Sequence, residues 1–261
     1  RTFGSVSMPD GQNVNAATAS FSGAVTAAST VAITSDLTVD TSTLKVDSTN
    51  NRVGVGTASP ASELTVAHAS GTDGRGIRLV NSSNSQTYEN RIGVQDLENT
   101  SYAIKDITQN AVRFLIDVNG AVTMPSQPAF QVKPASNQSN IANNGIVEFG
   151  TEIFDNNADF ASNVFTAPVT GKYQFNVSLG LTSVDSAAAF IGLDLVTSNR
   201  HYYVIVDPDF GQDAAYWELT LPILADMDAS DTAQVNFLQS GGTIQADSQN
   251  SHTTFSGYLV A

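Results

Sequence analysis

The sequence predicts an all-β protein: an extended trimeric β fibre segment and a small β module, followed by a C-terminal jelly-roll head. Three observations lead there. Apolar residues recur at i, i+2 along nearly the whole chain, which is the period of a strand. Charged residues make up only 14% of the 261 residues, well below the roughly 25% of ordinary soluble domains. Ser, Thr, Asn, Ala and Gly take their place, and these suit turns and strand faces better than long helices.

Residues 1–30 are polar and Ala-rich, with Phe3, Met8 and Phe21 as the large side chains. An N-terminal docking or extended segment is expected. The chain begins with Arg1 rather than Met, which points to a processed chain or to part of a longer one.

From 31 to 66 short apolar pairs follow one another: Val31/Ile33, Leu37/Val39, Leu44/Val46, Val53/Val55 and Leu64/Val66. Two inward side chains per strand are too few to bury a core in one chain. Three chains wound together could bury them on a shared axis, so a fibre-like β segment is expected. Asn50-Asn51 supplies a turn, Gly54 and Gly56 thin the strand, and Pro60 stops it. The stretch 44–66, LKVDSTNNRVGVGTASPASELTV, resembles a segment of tail and head fibres of bacterial viruses, where it joins successive β modules.

Residues 67–124 read as a small β module. Ile77/Leu79, Ile92/Val94, Tyr102/Ile104 and Phe114/Ile116/Val118 mark its strands. Asn119-Gly120 is a strong turn signal, and Val122 and Met124 start the return strand. The ending FLIDVNGAVTM at 114–124 is similar to the same fibre class. Pro125 and Pro128 then break any ladder, making 125–128 a linker.

From 129 to 261 the patterns lengthen. Tyr173, Phe175, Val177, Leu179 and Leu181 alternate with Lys172, Gln174, Asn176, Ser178 and Gly180, giving one buried and one wetter face. Trp217, Leu219, Leu221 and Ile223 begin another strand, and Ile191, Leu193 and Leu195 precede Tyr203 and Ile205 across a Ser198-Asn199 turn. Val235/Phe237 and Phe255/Gly257/Leu259 mark two more. Many strands with regular turn signals argue for a sandwich or jelly roll. Phe165 and Tyr173 flank the corner Pro168–Gly171, so both can enter one core. Gly257, among bulky neighbours, leaves room for close packing.

PAFQV at 128–132, VEFGTEIFDNNADFASNVFTAPVTGKYQFNVSLGL at 147–181 and HTTFSGYLV at 252–260 resemble the globular head of the complement component one q family, which belongs to the tumour-necrosis-factor-like jelly rolls. The resemblance covers nearly all of 128–261. It implies a ten-stranded jelly roll that trimerises about a three-fold axis, with the last strand central in its sheet. The animal members carry a collagen stalk; no Gly-X-Y repeat occurs here, and the fibre-like segment stands in its place.

The formal net charge is −14, with 25 acidic and 11 basic residues. Nucleic-acid partners need Lys and Arg at phosphates, so none is expected, and anionic membrane surfaces are disfavoured for the same reason. No apolar run approaches the ~20 residues of a membrane span. Cysteine is absent, which removes disulfides, thiolate metal sites and Cys nucleophiles. No G-x-S-x-G elbow and no phosphate-binding Gly motif is present; GVGT at 54–57 sits in a strand pattern with no helix after it. His68, His201 and His252 lie in different stretches without metal-ligand spacing. The chain therefore reads as no enzyme, with no cofactor required.

Calcium is the candidate ligand of the acidic stretches. Asp226, Asp228 and Asp231 are its candidate ligands, with a solvated acidic turn as the competing reading. Asp207, Asp209 and Asp213 around Phe210, and Asp155 to Asp159, pose the same choice. Among the aromatics, Tyr203 and Trp217 alternate with apolar neighbours and are expected in the core or along a trimer axis. Phe210, beside Asp209 and Gly211, is the better exposed tip. The candidate receptor-binding residues are Asp207, Asp209, Phe210 and Tyr216.

The function expected is that of a structural virion fibre, of tail or head, whose trimeric head adheres to a host-surface glycan or protein. Its N-terminal part would hold other virion proteins, at the virion surface outside the cell. A purely structural decoration, or a bacterial secreted or surface lectin-like protein, is the alternative.

Overall fold

The computed structural model describes residues 32–68, 76–94, 98–241, 247–248 and 252–261. The N-terminal docking segment 1–30 and Val31 lie outside them. Every element among the described residues is a β-strand, and the chain divides into two compact units, Arg1–Ala67 and His68–Ala261.

The first unit holds one sheet in the order β1 (Leu37–Val39), β2 (Leu44–Asp47), β3 (Arg52–Val55), β4 (Leu64–Val66). The turn between β2 and β3 falls at Asn50-Asn51. Asp47 Oδ1 accepts the Thr49 and Asn50 N–H groups, and Asn51 takes φ 55°. β3 and β4 pair in parallel. The loop between them is pinned at Arg52 Nη1, which donates to the Pro60 carbonyl at 3.0 Å. Gly54 is needed there: a Cβ would lie 2.6 Å from the Thr57 carbonyl oxygen. Ile33 lies before β1, outside any strand. No large side chain of this sheet is buried; Val39, Val55, Leu64 and Val66 are all exposed. Strands of three or four residues give each face too little apolar area for a core.

The second unit begins with a five-stranded antiparallel sheet: β5 (Gly76–Asn81), β6 (Gln86–Val94), β7 (Glu98–Asp106), β8 (Ala111–Ile116) and β9 (Val122–Thr123). The Asn119-Gly120 turn forms, with Gly120 at φ 84° and Asp117 Oδ1 accepting the Asn119 and Ala121 N–H groups at 2.8 Å. Register sorts the residues into two unlike faces. Ile77, Leu79, Tyr88, Ile92, Tyr102, Ile104, Phe114 and Ile116 share one face. Arg78, Glu89 and Arg91 lie on the other, where Arg78 Nη2 meets Glu89 Oε2 at 2.8 Å. Buried Asp106 anchors the β7–β8 turn, accepting from Gln86 Nε2, Gln109 N–H and Arg113 Nη2.

Beyond 125–128 the head folds as two facing sheets. One runs β12 (Thr151–Asp155), β10 (Ala129–Lys133), β21 (Thr254–Leu259), β15 (Gly171–Val184), β18 (Ala214–Met227), with β20 (Asp247–Ser248) also on β15. The other runs β13 (Phe160–Ala161), β14 (Val164–Thr166), β19 (Thr232–Ser240), β16 (Phe190–Thr197), β17 (His201–Val206), with β11 (Gly145–Ile146) on β19. β21 is central in its sheet, between β10 and β15.

The predicted inward face of β15 is the core: Tyr173, Phe175, Val177, Leu179 and Leu181 are buried, together with Ile191, Leu193, Leu195, Val235, Phe237 and Phe255. Phe130, Phe165, Phe175 and Phe255 form one aromatic cluster, with Phe130 and Phe165 stacked at 4.8 Å. Such rings supply large apolar area, and offset or edge contacts add about 0.5–1.5 kcal/mol per pair. The corner works as expected. Phe165 and Tyr173 meet at 5.4 Å, and Tyr173 Oη donates back across the corner to the Val169 carbonyl at 2.8 Å.

Candidate functional site

β18 is long enough to run past the covered core, and its first residues are where the head opens. From Leu219 to Met227 alternate residues are buried, or half-buried at Ile223; from Ala215 to Glu218 all are exposed. Register sets Tyr216 against Thr182, Trp217 against Leu181 and Glu218 against Gly180 on β15. Gly180 has no side chain to fill the space, and an open groove of about 460 Å³ results. Its walls are Gly180, Leu181, Tyr216, Trp217, Glu218 and His252.

The polar side of the groove is fixed by Ser178. Its Oγ lies 2.6 Å from Glu218 Oε1 and 3.1 Å from the His252 carbonyl oxygen. Thr253 Oγ1 accepts the Gly180 N–H at 3.1 Å, tying the approach to β21 to the groove floor. The apolar side is aromatic. Phe210 stacks on Trp217 with centroids 4.7 Å apart and planes at 27°, while Tyr216 is 72% exposed. The loop carrying Phe210 is shaped by Gly211 at φ 76° and held at its far end by Asp213, whose Oδ1 accepts the Ser186 N–H. Exposed aromatic rings at the same opening as a carboxylate suit a ligand with both apolar faces and hydroxyl donors.

Of the sequence candidates, Tyr216 lines this groove and Phe210 backs it through Trp217. Asp207 and Asp209 stay in the loop, where Asp207 Oδ1 accepts the Asp209 N–H at 3.2 Å; neither is a groove wall. Trp217, Glu218 and His252 were not among the site candidates. Glu218 shares the outward phase of Tyr216, so a carboxylate two residues on was the available signal.

Placing Tyr203 and Trp217 in the core of the chain is corrected. Trp217 has the inward phase but sits at the strand end, beyond the cover of the facing sheet. Tyr203 has the outward phase, since Tyr202, Val204 and Val206 are the partners packed on the core. It is well exposed. Alternation reports a face; it does not report depth.

The acidic stretches are organised as turns. Asp226 pairs with Arg200 Nη2 at 2.9 Å, and Asp231 Oδ2 accepts from Asn199 Nδ2 and the Asp228 N–H. Their oxygens therefore hold the Ser198-Asn199 turn against the start of β19. Asp155 accepts the Asp159 and Phe160 N–H groups. Burial pushes the Asp159 carboxyl above its usual range. His201 Nδ1 lies 2.8 Å from Asp194 Oδ2 on the neighbouring strand. Among the described residues, no three His, Asp or Glu side chains gather around one point.

Comparison with known proteins bears on the head. No curated protein matches the chain. Among solved structures, the globular domain of the zebrafish complement 1qA protein aligns at 17% identity and TM-score 0.40, covering 52% of this chain and 98% of that one. Murine APRIL aligns at 10% identity and TM-score 0.39, covering 51% and 99%. The family match spans the jelly roll from its first strand to its last: residues 129–260 match the C1q domain, and the chain belongs to the C1q domain family.

Proposed function

We propose that this chain is a fibre subunit of a virus particle whose C-terminal heads, three to an assembly, attach it to a glycan or protein on the host surface. Domains of the C1q and tumour-necrosis-factor-like class are generally non-enzymatic binding modules and commonly form homotrimers. The observation that carries the adhesive reading is the groove at the start of β18, where exposed Tyr216 and Trp217, the latter stacked on Phe210, line the same opening as Glu218. The fibre reading is supported by the sheets before residue 125. They leave apolar side chains exposed on the single chain, as a fibre built from several chains would require.

The mechanism is multivalent attachment. Each head contributes one weak site, and three on one shaft raise the effective concentration at a surface into the millimolar range. Location on the virion, and attachment to other virion proteins through residues 1–30, belong to the same proposal.

The test is binding of the purified chain, fluorescently labelled, to candidate host cells. Saturable binding that an isolated 129–261 head competes away is the expected result. Copurification with particles but no cell binding would favour a structural decoration. Binding without any association with particles would favour a surface lectin.

A further inference from the structure

The sheet β5–β9 carries its apolar residues on the uncovered side. Ile77 and Leu79 on β5 and Tyr88 and Ile92 on β6 are exposed, with Leu79 at 61%. Register continues the same face through Ile104 and Phe114 on β7 and β8. The opposite face has the buried charges Glu89 and Arg91. This is the reverse of a sheet that packs within its own chain, where the apolar face is the hidden one. An open face of this kind marks a surface meant to be covered.

We propose that this face is covered by the same face of two further copies of the chain, so that three β5–β9 sheets enclose a shared apolar core. Its partner copies are those of the trimer proposed above, on which the assignment rests. Two observations favour copies of this chain over a foreign partner. The first is charge. Around a symmetry axis every group meets its own copies, so a self-contacting face must lack unpaired charge. In a chain of net charge −14, Asp106, the acidic side chain that register places on this face among the residues whose side chains are described, is already met by Arg113, Gln86 and Gln109. The second is attachment. The sheet is bonded into the base of the head: Ser126 Oγ donates to the Val112 carbonyl at 3.3 Å, and Gln127 Nε2 donates to the Leu259 carbonyl at 3.1 Å. Heads held together bring these faces together at high effective concentration, and no outside partner has that advantage.

The absence of cysteine makes the test direct. Single variants Leu79→Cys and Ile92→Cys report the apolar face. Val80→Cys, 60% exposed on the opposite face of the same strand, is the control. Each full-length variant is reacted with a maleimide after light scattering has given its molar mass. Leu79→Cys and Ile92→Cys are expected to react about tenfold or more slowly than Val80→Cys in the native trimer and equally fast in denaturant. A trimer in which all three react alike overturns the shared core but leaves the trimeric heads standing. A wild-type chain of monomer mass overturns both. A variant that fails to trimerise is replaced by Ile77→Cys on the same face.

Discussion

Gly257 on β21 faces Phe175 on β15 so closely that a Cβ added to Gly257 would lie 2.6 Å from Phe175 Cδ1 and 2.8 Å from Phe130 Cε1. The glycine is thus the notch into which the aromatic cluster closes. Gly257→Ala is expected to destabilise the head by about 1–3 kcal/mol through overpacking. For a head of this size that lowers Tm by roughly 4 °C per kcal/mol. Differential scanning calorimetry of the isolated head measures it. An unchanged Tm would mean that the rings shift freely. Phe175→Leu in the same background should recover part of the loss, because the smaller side chain gives the methyl group room.

That notch was legible beforehand, because a glycine among Phe255, Tyr258 and Leu259 has few other reasons to be there. The long strands were legible too, since β15 and β18 alternate over a span no helix could imitate. What did not transfer was depth. Trp217 and Leu221 have the same phase, yet one is covered by the facing sheet and the other is not, and only the third dimension records where the cover ends. The groove suffered for the same reason. Gly180, Glu218 and His252 are far apart in sequence and meet only because β15 pairs with β18 and with β21.

Asp106 offers a pH test of the β5–β9 sheet. Burial alone would raise its carboxyl, but the Gln109 N–H, Arg113 and Gln86 outweigh burial and hold it below the usual 3.8. A carboxyl lowered by folding stabilises the fold at every pH above its unfolded value. That contribution is lost as pH falls through the lower, folded value. Asp106→Asn should therefore be less stable than wild type at pH 7, and the gap should close as pH falls below the usual 3.8 and on through the lower, folded value. Thermal unfolding of both proteins across pH 2–7 checks this. A gap that does not change with pH would place the loss in packing. Asp36 before β1 is held down to about 2 by Lys45 and Ser48, so its contribution is lost as pH falls from 3.8 to about 2.

In the groove, Tyr216 and Phe210 should separate contact from support. Tyr216→Ala removes an exposed ring and should leave Tm within a degree or so, since exposed changes rarely exceed about 0.5 kcal/mol. Cell binding should fall by tenfold or more, the loss of about 1.4 kcal/mol per site, if the ring is a contact. Phe210→Ala should weaken binding less, because it acts only by steadying Trp217. Equal binding by wild type and both variants would remove the groove as the attachment site.

Ionic strength tests how the acidic chains tolerate one another. Three copies would bring three times −14, or −42, into one assembly. In about 10 mM salt the screening length is near 30 Å and these charges repel across a whole head; in about 150 mM it is near 8 Å and they do not. The Tm of such an assembly should therefore rise with salt. The acidic turn at the end of β18 sharpens the experiment. Asp226 and Asp231 are engaged by Arg200 and Asn199, so their charge is partly met within the chain, and a monovalent salt should suffice to restore stability. If micromolar calcium restores it at low salt where the same concentration of sodium chloride does not, a specific cation site exists in the assembly. A Tm that stays flat from low to high salt would mean that the acidic side chains point away from the shared axis. Assembly would then be governed by the apolar faces alone.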